Sequence, residues 1–107
     1  MESLKLNISQ RRFLADNFKD ALVNQEAGNE PYFKRLGSTV QSVMREAVQF
    51  ICLHKPISGT ISDKKEIENG EEIVRTYVSV KIEIFQPGTN DKIVLERTFN
   101  KTTLDGA

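Results

Sequence analysis

Residues 76–85 read TYVSVKIEIF, and this stretch decides the fold. Val78, Val80, Ile82 and Ile84 alternate strictly with Tyr77, Ser79, Lys81 and Glu83. A period of two is the mark of a strand with one buried and one wet face. Strands on either side are read from it. Ile57, Gly59 and Ile61 alternate with Ser58, Thr60 and Ser62, and Ile93 and Leu95 alternate with Lys92, Val94 and Glu96, with Phe99 in phase.

Two turns link the three strands. Asn69-Gly70 is a strong two-residue hairpin signal, because both positions tolerate positive φ. Pro87-Gly88-Thr89-Asn90 fits a four-residue turn. With those turns Ile84 faces Ile93, Ile82 faces Leu95, Val78 faces Phe99, and Ile61 faces Val78. Lys81 then meets Glu96 on the wet face, a favourable cross-strand pair. Both registers put the same face of the middle strand inside, as one buried face requires. One residue does not fit: Arg97 falls opposite Val80 on the apolar face. The segment DKKEIENGEE, residues 63–72, is too polar for a core and is expected to project as a mobile hairpin.

Upstream the period changes to that of helices. The first is expected over residues 9–27, capped by Ser9, with Ile8 and Phe13 spaced as a hydrophobic staple and Gly28 as its stop. The second is expected over residues 30–54, capped by Asn29 or Glu30, with Pro31 in its first turn and Pro56 closing it. Its apolar residues at 33, 36, 40, 43, 47 and 50 form a seam, and Tyr32, Met44, Val48 and Ile51 widen it. The expected fold class is therefore α+β. Two N-terminal helices pack on one face of a three-stranded antiparallel meander, α-α-β-β-β, over residues 57–103. Residues 104–107 are expected to be a frayed tail, and the 107 residues to be a single domain.

Dimensions raise the question of a partner. A helix from Phe33 to His54 is about 33 Å long at ~1.5 Å per residue, and the middle strand matches that length at ~3.3 Å per residue. Width does not match. Three strands make a sheet roughly 10–14 Å across, whereas two packed helices need nearly ~20 Å. A homodimer is the expected remedy, joined by a sheet edge or by helix 2 against its mate. Candidate interface residues are Met44, Val48 and Ile51 on the helix, with Tyr77 and Phe85 on the wet face of the sheet.

Composition sets limits. Lys plus Arg equals Asp plus Glu at 15 each, so no net charge draws the chain to polyanions or membranes. Cys52 is the single cysteine, so no internal disulfide forms, which fits a reducing compartment. The N-terminus does not read as a signal peptide, and no segment approaches the ~20 apolar residues of a membrane span. A cytoplasmic location is expected.

Catalytic chemistry finds little footing. On a helix Cys52 and His54 point roughly 200° apart, and together they fall short of the three or four ligands zinc takes. The acidic residues Asp63, Glu66, Glu68, Glu71 and Glu72 lack the spacing of a calcium loop. The glycines are scattered, so no phosphate-cradling loop is present. The expectation is a non-enzyme with no cofactor and no metal.

The order α-α-β-β-β with an arm turning at Pro87 resembles, in topology, the histone-like architectural DNA-binding proteins. That resemblance implies nucleic-acid binding through a basic arm. Here Val74–Arg97 holds Arg75, Lys81, Lys92 and Arg97 against Glu83, Asp91 and Glu96, and the family's closing helix is absent from the reading. Tyr77 and Phe85 could stack on bases. The favoured expectation is a protein-interaction domain, an accessory subunit, adaptor or inhibitor acting through its surface as a homodimer. Nucleic-acid binding is the alternative.

Overall fold

The alternation of Tyr77–Phe85 builds the sheet as expected. The computed structural model describes residues 2–24, 26–27 and 30–107. In chain order it contains β1 (Glu2–Ser3), α1 (Ile8–Val23), β2 (Glu26–Ala27), β3 (Glu30–Pro31), a 3₁₀ turn at Tyr32–Arg35 and α2 (Ser38–His54). These are followed by β4 (Ser58–Glu68), β5 (Glu71–Phe85), β6 (Lys92–Asn100) and α3 (Lys101–Asp105). The α+β class with α-α-β-β-β order is present, with a short closing helix added. The sheet order is β1-β4-β5-β6, all antiparallel, and β2 pairs separately with β3.

The expected strand pairs are in place except one: Ile57 is expected opposite Ile82, but the ladder between β4 and β5 begins at Gly59 opposite Val80, and Ile57 lies before its strand. Ile84 is opposite Ile93, Ile82 opposite Leu95, Val78 opposite Phe99 and Ile61 opposite Val78. Lys81 Nζ lies 3.6 Å from Glu96 Oε2. Asn69 and Gly70 have φ of 53° and 78°, the left-handed pair a tight hairpin turn demands. Arg97 does stand opposite Val80, and its Nη2 reaches 3.7 Å from Asp20 Oδ2 on α1. The misfit is resolved because the rim of the inner face meets a carboxylate of the helix above it.

One core joins the helices to the sheet. Val78, Val80, Ile82, Ile84, Leu95 and Phe99 are buried under Leu14, Phe18 and Leu22 of α1 and Met44, Val48 and Cys52 of α2. Phe13 packs on Phe99 with ring centroids 5.4 Å apart. Arg11 ties the helices together: its Nη1 donates to the carbonyls of Cys52 (3.0 Å) and Lys55 (2.9 Å), satisfying orphan acceptors at the end of α2.

Several boundaries differ from expectation. Asn7, not Ser9, caps α1, through a reciprocal box in which Asn7 Oδ1 accepts from the Gln10 N–H and Gln10 Oε1 accepts from the Asn7 N–H. Ile8 is exposed, so the staple with Phe13 does not form. α1 ends at Val23, where the N–H of Asn24 bonds back to Asp20 and Leu22, and residues 26–27 are already a strand. The stop expected at Gly28 and the cap expected at Asn29 lie outside the described residues. The second helix does not run unbroken from residue 30. Glu30 and Pro31 pair with β2, a 3₁₀ turn follows, and Gly37 is the N-cap of α2. Gln41 Nε2 holds that turn in place by donating to the carbonyls of Phe33 and Leu36.

The C-terminal tail is corrected as well. The sheet ends at Asn100, whose side chain caps α3 by accepting from the Thr102 N–H at 3.0 Å. Leu104 is buried, and Gln10 Nε2 donates to its carbonyl at 3.1 Å, fastening α3 to α1. A single apolar residue with one backbone tie is enough to seat a five-residue helix. The closing helix missing from the sequence reading is thus present.

The β4–β5 hairpin extends beyond the helices. Its ladder continues in register to Glu68 opposite Glu71. The radius of gyration is 15.7 Å and the long axis 51 Å, against roughly 13 Å expected of a compact chain this size. The excess is the projecting arm.

Candidate functional site

The five residues expected at an interface do not come together. Met44 and Val48 are fully buried beneath α2, so no partner reaches them without opening the core. Ile51 is half-buried at the edge of the same core. The inward face of α2 is Met44, Val48 and Cys52, one residue on from the seam that includes Val43, Ala47 and Phe50. One residue is about 100° on a helix, and this rotation turns Val43 and Phe50 outward, 44% and 52% exposed. His54 lies 5.0 Å from the Phe50 ring and Lys55 Nζ 5.6 Å above it.

Tyr77 and Phe85 both face the outer side of β5 but are far apart, about 26 Å at ~3.3 Å per residue. Phe85 is exposed opposite Lys92. Tyr77 belongs to a polar lattice on the arm. Its hydroxyl donates to Glu66 Oε1 at 2.8 Å, and Arg75 bonds both Glu66 and Glu68. The bond to the Glu66 carboxylate pushes the Tyr77 phenol above its ordinary pKa, and Glu68 holds the Arg75 guanidinium more firmly protonated.

The opposite face of the arm is a different surface. There the apolar face of the sheet runs on past the helices, leaving Ile61, Val74 and Ile67 exposed, the last at 81%. Between them, Thr76 Oγ1 donates to Asp63 at 2.7 Å and Lys65 lies 3.5 Å from Glu72. At the base of the arm is a concavity of about 210 Å³ whose apolar wall is Leu4, Leu6, Ile61, Val78 and Leu104, with Lys5 and Lys101 at its rim. The sequence reading missed this surface because it dismissed residues 63–72 as polar. The signal was available: Ile67 is in phase with Ile61, three strand repeats on.

Cys52 and His54 diverge. Cys52 is buried, and burial pushes its thiol up to about 11, far from a reactive thiolate. His54 is on the surface. Among the described residues no three His, Cys, Asp or Glu side chains gather as a metal would need, and no helix is long and apolar enough to cross a membrane. In comparisons with known proteins no family model, no curated protein and no solved structure matches this chain.

Proposed function

We propose that this chain is a non-enzymatic protein-interaction domain that works as a homodimer. The supporting observation is the arm. Its inner face continues the buried face of the sheet, but none of the described residues forms a layer above it, leaving Ile61, Val74 and Ile67 in water. The three lie along one face of a projecting element, spaced by Asp63, Lys65 and Thr76, and that face lies at the end of the sheet that the chain's own helices do not cover.

The same arm argues against the nucleic-acid alternative. From Asp63 to Glu72 five carboxylates outnumber Lys64 and Lys65. Arg75, Lys81, Lys92 and Arg97 are each already within ion-pair distance of a carboxylate, so a phosphate would have to displace one. Sedimentation equilibrium at micromolar concentration tests the reading. A dimer of about 24 kDa, twice the 12.1 kDa chain, supports it, and a clean monomer overturns it. Titration of labelled oligonucleotides at two salt concentrations is expected to give no tight binding; micromolar affinity falling steeply with salt would favour the alternative.

A further inference from the structure

The outer edge of β4 is the surface that accounts for the arm. Among the described residues β1 covers Ser58 and Gly59 there, and the Leu4 N–H adds a bond to the Ile57 carbonyl at 2.9 Å. That last bond fixes which backbone groups point outward. In an antiparallel strand the N–H and C=O of alternate residues turn to opposite sides. If Ile57 points away from β5, then so do Ile61, Asp63, Lys65 and Ile67. Among the described residues no strand lies beyond their amides and carbonyls, and their side chains share the exposed inner face of the arm. The ladder to β5 is unbroken from Gly59 to Glu68 and contains no proline. No bulge or proline interrupts it; the charges it carries, Asp63, Lys64 and Lys65, are of the kind that blunts an edge unless a partner strand supplies opposite charges.

We infer that a second copy of this chain pairs antiparallel along the β4 edge, about a twofold axis at Lys64, with Asp63 opposite Lys65 and Ile61 opposite Ile67 of the second copy. The inference rests on the homodimeric reading above and specifies its geometry. Inner-face residues must meet inner-face residues, which restricts the registers to steps of one pair. A step one way sets Asp63 against Asp63. A step the other way sets Lys65 against Lys65 and Asp63 against Ile67. At the proposed register the opposite charges meet twice and the exposed isoleucines meet twice. All four outward residues then exchange backbone bonds, about eight in all.

The tip of each arm reaches the end of β1: at this register Asn69 of the second copy comes level with Gly59, where Glu2 is paired, so the first residue of β1 gives up that place to the incoming turn. Ile67 comes beside Ile61 at the base of the second copy, at the mouth of the concavity walled by Leu4, Leu6 and Leu104. Ile67 and the second copy's Ile61 and Val78 become one apolar row, with Glu72 at its outer end and Val74 diagonal to Ile67, so the sheet face left bare on one copy is continued by the core of the other. The acidic tip, with Glu68, Glu71 and Glu72, approaches a rim bearing Lys5 and Lys101, the latter bonded to Asp105. One like pair arises, Lys64 against Lys64, on the outer face where both ammonium groups extend into water.

Cysteine cross-linking tests the register. Cys52 is fully buried with its thiol pushed up to about 11, so an introduced thiol is the one that oxidises. In Lys64→Cys the two thiols face each other in a pair with Cα atoms ~4.5 Å apart, within disulfide reach. In Ser62→Cys they are four residues out of step, about 13 Å apart. Mild oxidation is expected to link Lys64→Cys into a dimer at least tenfold faster than Ser62→Cys. A protein that sediments as a dimer but cross-links no faster at 64 than at 62 overturns the edge pairing and leaves the homodimer standing. A protein that sediments as a monomer overturns both and leaves the edge to a strand of another protein.

Discussion

Ile61 and Val78 stand directly opposite each other across the β4–β5 ladder, yet Val78 is 2% exposed and Ile61 40%. The boundary between covered and bare sheet passes between these two side chains. Val78→Ala is therefore expected to cost about 2 kcal/mol, two lost methyl groups plus an imperfectly closed cavity. Ile61→Ala is expected to cost less than about 1 kcal/mol in dilute monomer, where 40% of its surface already meets water. Urea midpoints of the two variants check this; equal losses would mean that the boundary is misplaced.

Gly59 is where β1 closes on the sheet. A Cβ there would stand 3.0 Å from Leu4 Cδ1, 3.1 Å from Val78 Cγ1 and 3.2 Å from the Ser79 carbonyl. Leu4 can rotate away, whereas the carbonyl is part of the ladder. Gly59→Ala is expected to cost about 1–2 kcal/mol after the gain from a stiffer unfolded chain is subtracted. Hydrogen exchange supplies the local readout: the Leu4 amide, bonded to Ile57, is expected to exchange faster in the variant.

Arg11 joins α1 to the carbonyl end of α2 through two bonds from one nitrogen. Arg11→Met keeps most of the apolar stem but leaves both carbonyls without that donor, with an expected loss of about 1–3 kcal/mol. Arg11→Lys is expected to recover part of it, since an ammonium can donate to both carbonyls but ends one atom short of the position Nη1 occupies. Denaturation of the three proteins side by side gives the order wild type, Lys, Met.

Much of this architecture is legible in the sequence because the sheet is governed by a period of two. Ile84 and Ile93 could be paired from turn chemistry and alternation alone, since a slip of one residue would expose the whole apolar face. The helices are less constrained. Val43 and Met44 are both apolar, the stripe on α2 spans more than half its circumference, and spacing alone does not say which half faces the core. Asn7 and Ser9 are both good caps, and the choice fell to Asn7 because Gln10 completes its box. α3 has one apolar residue, Leu104, too few to leave a periodic signal. The arm face was readable in principle at Ile61 and Ile67, but five carboxylates around them masked the alternation.

The Cys52 thiol sets an alkaline limit on stability. Burial raises it from 9.0 to about 11, so between those pH values the unfolded chain has lost its proton while the folded chain retains it. The unfolded state then binds fewer protons, and stability, undiminished below pH 9, falls as pH rises towards 11. The loss is expected to reach at most about 2–3 kcal/mol. Urea unfolding at pH 8 and pH 10.5 is expected to separate wild type from Cys52→Ala, with the variant losing less; identical losses would assign the alkaline sensitivity to other groups.

Sedimentation equilibrium of two surface variants tests the central claim most directly. Ile67 is 81% exposed on the arm and Phe50 52% exposed on the flank of α2, so neither substitution by serine disturbs the core. If the arm joins two copies, Ile67→Ser, acting twice per dimer, is expected to raise the dissociation constant about a hundredfold or more, leaving a 12.1 kDa species at micromolar concentration. Phe50→Ser is expected to remain dimeric. A dimer that survives Ile67→Ser and falls apart with Phe50→Ser would contradict the account and move the interface to the helix.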